Sequence, residues 1–187
     1  MKKELKPSTS LAPVPVVMLS CGEEGKENIT TIAWTGILAS EPPMVYVSIR
    51  PNRYSHEIIS KTKEFVINLP NDCLAYEVDY CGTKSGRQVD KFKQMKLTKK
   101  KANKVNTVVI EECPIQLECV VKQIQPMGSH DVFMAEVINV QAAEEYLKEN
   151  GTINYTKANL LTFAGSDYLV QNTKVAQRGI SVKKKEE

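Results

Sequence analysis

The sequence predicts a mainly β protein: a closed or nearly closed antiparallel barrel with short helices at its periphery. Six or more β-prone runs are separated by turn residues, and most follow one another with only short helical pieces between them. The 187 residues suffice for one domain with its own core. At 42% hydrophobic and 25% charged residues, the composition excludes a disordered, collagen-like or coiled-coil chain. No apolar run approaches the ~20 residues of a membrane span, so a globular protein with no membrane partner is expected.

Each element has a local reason. Val14 to Ser20 is β-rich, Cys21 to Glu27 is polar and carries Gly22 and Gly25, and Asn28 to Trp34 is rich in Ile and Thr; together they read as a hairpin. Glu41-Pro42-Pro43 breaks the chain before Met44 to Ile49, a strand with mostly apolar faces and therefore buried. Ser55 can N-cap a short helix from His56 to Lys63 that turns Ile58 and Ile59 inward. Glu64 to Leu69 is a fourth strand, stopped by Pro70. Leu74 and Val78, four residues apart, suggest a helix within Asn71 to Tyr80, and Cys81 to Arg87 reads as a polar, glycine-bearing loop. Thr107 to Ile110, Ile115 to Val121 and Val132 to Val140 are three more strands; the second alternates, with Ile115, Leu117, Cys119 and Val121 on one face. Beyond about Gly151 the pattern is irregular. Residues 146–187 are therefore expected as a C-terminal extension, packed on the barrel or on a second subunit, around a core of about 12–145.

Net charge is +3, and its distribution says more than its total. Seven lysines and no acid lie between Lys91 and Lys104, and residues 1–6 and 174–187 are also basic, so the remaining chain is acidic. A barrel for single-stranded nucleic acid would interleave aromatics with such runs. Aromatics are only 6% of the chain and only Phe92 falls within the lysine run, so a solvated loop and tails are expected and no specific nucleic-acid partner. The five cysteines form no CxxC pair, and His56 and His130 are the only histidines, which leaves no metal-ligand spacing. An odd, evenly spread set fits free thiols in a reducing cytoplasm. The N-terminus imitates a secretory signal, but Pro13 and Pro15 interrupt its apolar stretch, which runs directly into the first hairpin; it is read as part of the domain.

No nucleophile and base can be paired: GxSxG, GxGxxG and the P-loop pattern are all missing, so any catalysis would come from a bound cofactor. The chain instead concentrates donors at strand ends. Asn28 to Trp34 interleaves hydroxyl and apolar residues and ends in the only tryptophan. Ser48 to His56 holds two arginines and two serines where a strand passes into a helix, and Gly82 to Lys91 adds Thr83, Lys84, Ser85, Arg87 and Lys91. Guanidinium forks, hydroxyls and amides at a helix start are what a phosphate monoester requires.

Five segments, in this order and spacing, carry a resemblance: Asn28 to Trp34, Ser40 to Arg50, Glu64 to Leu69, Ser85 to Phe92 and Gly128 to Phe133. Over about residues 12–145 the chain resembles the flavin reductase-like, FMN-binding split-barrel family, within it the flavoredoxin type. The resemblance implies a six-stranded Greek-key split barrel that dimerises and holds one FMN per subunit near the interface. It implies that Asn28, Thr30, Thr31, Ile32, Ala33 and Trp34 run along the flavin edge. Ser48, Arg50, Arg53 and Ser55, with Ile49 among them, would surround the phosphate, and Ser85, Gly86 and Lys91 would complete that end. Asn68 and Asp90 enter the cofactor set from the same matching segments, and Tyr168 is the tyrosine of the later segment. His130 takes the catalytic position beside the flavin. The implied activity is transfer of electrons from NAD(P)H through FMN to flavin, ferric or protein acceptors. The alternative is an FMN electron carrier reduced by a redox protein, with the Lys91 to Lys104 run docking an acidic partner. Hydride transfer to a bound flavin needs geometry and amide donors rather than a protein acid or base, which agrees with the missing dyad.

Overall fold

The computed structural model describes residues 1–182, so the Lys183 to Lys185 cluster lies outside the described residues. Seven strands make one antiparallel sheet: β2 (Val17–Cys21), β3 (Asn28–Ile32), β4 (Thr35–Ser40), β5 (Pro43–Ile49), β6 (Glu64–Leu69), β9 (Ile115–Pro126) and β10 (Asp131–Ala142). Their order is β3-β2-β6-β9-β10-β5-β4. The two edge strands are consecutive in the chain. Ile32 pairs with Val17 on one edge, and three residues later Thr35 pairs with Val47 on the other. The sheet must therefore curl until its edges meet at Ala33-Trp34. There the Ser48 N–H donates to the Trp34 carbonyl at 2.9 Å. With β3 and β4 taken as one bent strand the barrel has six strands, open only at this seam. Two register shifts in the β9–β10 hairpin supply curvature.

The inside is filled by alternate residues of each strand: Val17, Leu19 and Cys21, Val45, Val47 and Ile49, Phe65 and Ile67, Cys119 and Val121, Phe133 and Ala135. Ile59 plugs one end from α1 (Tyr54–Thr62). On the outer side of β2 and β3, Val16, Met18 and Ile29 meet a second layer. It holds Leu74 and Val78 around α2 (Ala75–Thr83), Phe92 of α3 (Lys91–Met95), Leu97, and Ile110 of β8 (Val108–Ile110). β2 is covered on both faces, so all five of its residues are buried.

The structure departs from the sequence reading at five places. β4 was not expected: four of its six residues are exposed, which leaves no alternation to read. α1 starts at Tyr54; Arg53 is its cap residue, and Ser55 lies buried in the first turn instead of capping it. Cys81 to Thr83 continues α2 rather than starting a loop. A Cβ at Gly82 would stand 3.2 Å from the Thr31 Cβ, so the missing side chain lets the helix lie on β3. The basic run is not one solvated loop. Asp90 accepts from Lys93 N–H and caps α3, and β7 (Lys99–Lys101) pairs with β8. The segment 155–170 is regular too. It forms α4 (Tyr155–Ala158) and a hairpin of β11 (Leu161–Ala164) and β12 (Asp167–Val170), whose Leu161 joins the second layer. β11 pairs with β1 (Val14–Pro15), so this segment packs on its own barrel.

One structural device escaped the sequence reading. Glu118 of β9 is wholly buried and accepts five hydrogen bonds: from the Asn103, Lys104 and Val105 N–H groups and the Asn139 and Gln141 amides. Burial alone would raise its pKa, but the donors, led by Asn139, hold it below the usual carboxylate range. Among the described residues no helix is long and apolar enough to cross a membrane.

Candidate functional site

The barrel seam opens into a trough made of two joined clefts. The first, of about 170 Å³, is lined by Thr30, Thr31, Ile32, Ala33 and Trp34, by Ser48, Ile49 and Arg50 at the end of β5, and by Arg53 and His130. The second, of about 190 Å³, is lined by Asn28, Asn52, Tyr54, Ser55, Lys84, Ser85, Gly86 and Lys91. Thr30 and Arg53 belong to both, so the clefts are two ends of one site. It is placed where it is because β3, the start of α1 and the end of α2 all converge on the split in the sheet.

The second cleft is basic. Arg50, Arg53, Lys84 and Lys91 line the trough and no carboxylate does. Lys91 is only 4% exposed. Its Nζ donates to the carbonyls of Ile29 and Cys81, each at 2.7 Å, which leaves its third N–H unused by either carbonyl. Burial pushes its pKa down to about 8, and repulsion from Arg53 acts in the same direction. A buried ammonium that faces only carbonyls is an incomplete ion pair, and an entering anion completes it. Arg53 caps α1 with no side-chain acceptor for the first-turn amides. The N–H groups of Tyr54 and Ser55 at this nine-residue helix therefore have no intrahelical acceptor. The Ser55 hydroxyl accepts from the Asn28 amide at 2.8 Å. Gly86 permits this packing: a Cβ there would fall 2.0 Å from Asn28 Oδ1.

The first cleft is flatter and mixed in character. The Trp34 and His130 rings stand with centroids 4.5 Å apart and form one wall. Burial first and the Arg50 charge second lower the His130 pKa. The Thr31 hydroxyl is spent on the Val78 carbonyl of α2, so only its backbone is available. β3 is an edge strand, and the Ile29 carbonyl that Lys91 grips identifies its unpaired side. The Thr31 N–H, two residues on, lies on that same side.

The trough thus gathers every predicted site residue except Asn68, Asp90 and Tyr168, but it divides the phosphate set. Ser48 and Arg50 lie at the Trp34 end, Ser55 lies at the Lys91 end, and Arg53 stands between them. Asn68 is fully buried elsewhere: its amide donates to Met18 O and Ser20 Oγ and accepts from Ile110 N–H, which pins β6 to β2 and β8. Asp90 is occupied as the α3 cap. Tyr168 packs on Phe163, and its hydroxyl donates to Asp79. Asn52 and Tyr54 were missed as lining residues, their signal being adjacency to Arg53, while Lys84, one of the donors read in the Gly82 to Lys91 segment, does line the cleft. Arg87 buttresses from outside, bonded to Glu57 at 2.8 Å and stacked on the Tyr54 ring. The buried thiols offer no nucleophile: burial pushes Cys21 and Cys119 up to about 12 and Cys81 to about 11.

The fold is an antiparallel barrel, and the trough at its seam is basic and free of carboxylates. The chain belongs to the flavin reductase-like family: residues 9–168 match the flavin reductase like domain. An uncharacterized protein of Archaeoglobus fulgidus is 33% identical over 146 residues, covering 78% of this chain and 81% of the relative. Among solved structures, the flavoredoxin of Desulfovibrio vulgaris (Miyazaki F) superposes with a TM-score of 0.92 at 27% identity, over 98% of this chain and 100% of that one. An FMN-binding protein from Thermus thermophilus shares the fold at 22% identity and a TM-score of 0.80, over 95% of this chain and 97% of that one.

Proposed function

We propose that this protein holds FMN in the trough and acts as an oxidoreductase of the flavin reductase and flavoredoxin type, taking electrons from NAD(P)H and passing them to flavin, ferric or protein acceptors. The observation that carries the reading is the buried Lys91 in a trough of four cations and no carboxylate, which fits a phosphate monoester. Lys91, Arg53, Ser55, Ser85 and the uncapped amides of α1 would hold the phosphate. The strip from Thr30 to Trp34 would hold the ring system, with Thr31 N–H among the donors facing it. Bound FMN supplies hydride and electron chemistry that no side chain here offers. The protein's part is then to orient, to exclude water and to present amide donors where negative charge develops. His130, against Trp34, would order the nicotinamide side of the cleft.

A homodimer belongs to the same reading. Its support is β4, an uncovered edge strand with Ile37 84% and Leu38 45% exposed. Free buried thiols support a reducing, cytoplasmic setting. The test is an absorption spectrum of the purified protein with added FMN, followed by anaerobic NADH or NADPH. Flavin bands that bleach support the reading. Flavin bands that do not bleach with either nucleotide leave the electron carrier. Protein that neither carries nor takes up FMN refutes both.

A further inference from the structure

Beside the basic trough lies a cavity of opposite character. It measures about 310 Å³ and shares Ala33, Trp34 and Ser48 with the first cleft, yet no charged side chain lines it. One wall is the outer face of the sheet. Ser48 pairs with Val132 across β5 and β10, and Tyr46 lies two residues before Ser48, so these three side chains point away from the barrel interior that Val45 and Val47 fill. The opposite wall is the N-terminal arm, which brings Leu11 and Val14 over the sheet and is anchored where β1 pairs with β11. Gly36 of β4 pairs with Tyr46, and a Cβ there would come within 2.9 Å of the Tyr46 Cε1, so the missing side chain leaves room for that ring.

We propose that this groove is a binding site for a small, uncharged, planar organic molecule, an aromatic or conjugated carbonyl compound of about two rings. The volume sets the size, since an apolar cavity of roughly 150 Å³ holds one benzene ring. The lining sets the class. Leu11, Val14, Ala33, Trp34 and Val132 offer apolar and aromatic surface, and an ionic ligand would lose its hydration with no countercharge in return. The Tyr46 and Ser48 side chains line the groove, and neither hydroxyl is bonded to another group among the described residues, so each is available to a ligand oxygen. The continuity through Trp34 places such a molecule next to the ring end of the trough. Its role as an electron acceptor therefore rests on the FMN reading, whereas its binding does not.

Equilibrium dialysis of the purified protein, with its flavin content measured by absorbance, tests this with two probes that share one ring system, 2-acetonaphthone and 2-naphthoate. The expected result is one ketone bound per chain, with a Kd at least tenfold below that of the carboxylate. Leu11→Glu, on an exposed arm, is expected to raise the ketone Kd at least tenfold and leave flavin content unchanged. Equal uptake of both probes, uptake indifferent to Leu11→Glu, or no uptake because a second copy covers the groove would each overturn the inference. Protein that neither carries nor takes up FMN but binds the ketone would refute the FMN reading alone, and protein that holds FMN but does not bind the ketone would refute the groove alone.

Discussion

Raising the pH should loosen FMN and tighten the empty fold over the same interval, and Lys91 is the reason. Its pKa near 8 lies well below the ordinary 10.5 because burial disfavours the ammonium. A phosphate monoester is a dianion throughout this range, its second pKa being about 6. Between pH 7 and about 9.5 the protonated fraction of Lys91 in the empty site falls about thirtyfold. The FMN Kd should rise by the same factor, about 2 kcal/mol of affinity. The sign for stability is the reverse. The unfolded chain binds this proton more tightly than the folded one, so Lys91 adds stability as pH climbs from about 8 towards 10.5. Fluorescence titration of FMN across this range gives the first quantity, and thermal melts without FMN give the second. Lys91→Met should bind FMN weakly at pH 7 and show a flat profile. A flat profile in the parent protein, or an unchanged slope in Lys91→Met, would refute the assignment of Lys91 as the buried partner of the phosphate.

Other substitutions follow from the same geometry. Gly86→Ala pushes on Asn28 and breaks its bond to Ser55, so FMN affinity should fall about tenfold with the circular dichroism spectrum unchanged. His130→Ala should leave FMN bound while slowing flavin bleaching by NAD(P)H; loss of the flavin itself would show that His130 holds the cofactor. Arg50→Ala should weaken FMN retention less than Arg53→Ala, measured by dialysis, because Arg53 lines both clefts and Arg50 only one. Glu118→Gln should lower stability by about 2–4 kcal/mol in urea melts, since an amide cannot accept from all five donors. The stability Glu118 provides in the parent is present above the ordinary carboxylate pKa and lost as pH falls through its depressed value.

The elements that the sequence made legible are those whose burial pattern is local. β6 matches the expected Glu64 to Leu69 because both of its faces are covered, so every position is constrained to be apolar or internally bonded. The trough residues were legible for a similar reason. Asn28 to Trp34, Ser48 to Ser55 and Ser85 to Lys91 each concentrate donors in a short stretch, and chemistry that dense in a β-rich chain marks a strand end or loop. β4 was not legible, because an exposed edge strand obeys no period. Ser55 misled in the other direction: a serine before a helical run is the ordinary cap signal, but here its hydroxyl is drawn inward by Asn28.

Composition, β-prone runs and donor density were enough to indicate a barrel with its donors gathered in a few short segments, since those properties belong to single residues and their neighbours. Which donors act together was decided only by closure of the sheet. Asn68, Asp90 and Tyr168 carry suitable groups, yet the fold spends them on Met18 and Ser20, on the start of α3 and on Asp79. Lys91 was one lysine among seven in its run until folding buried it against two carbonyls. The cost of leaving a polar group unpaired in a low-dielectric interior depends on every chain segment that surrounds it, and those segments meet only in three dimensions.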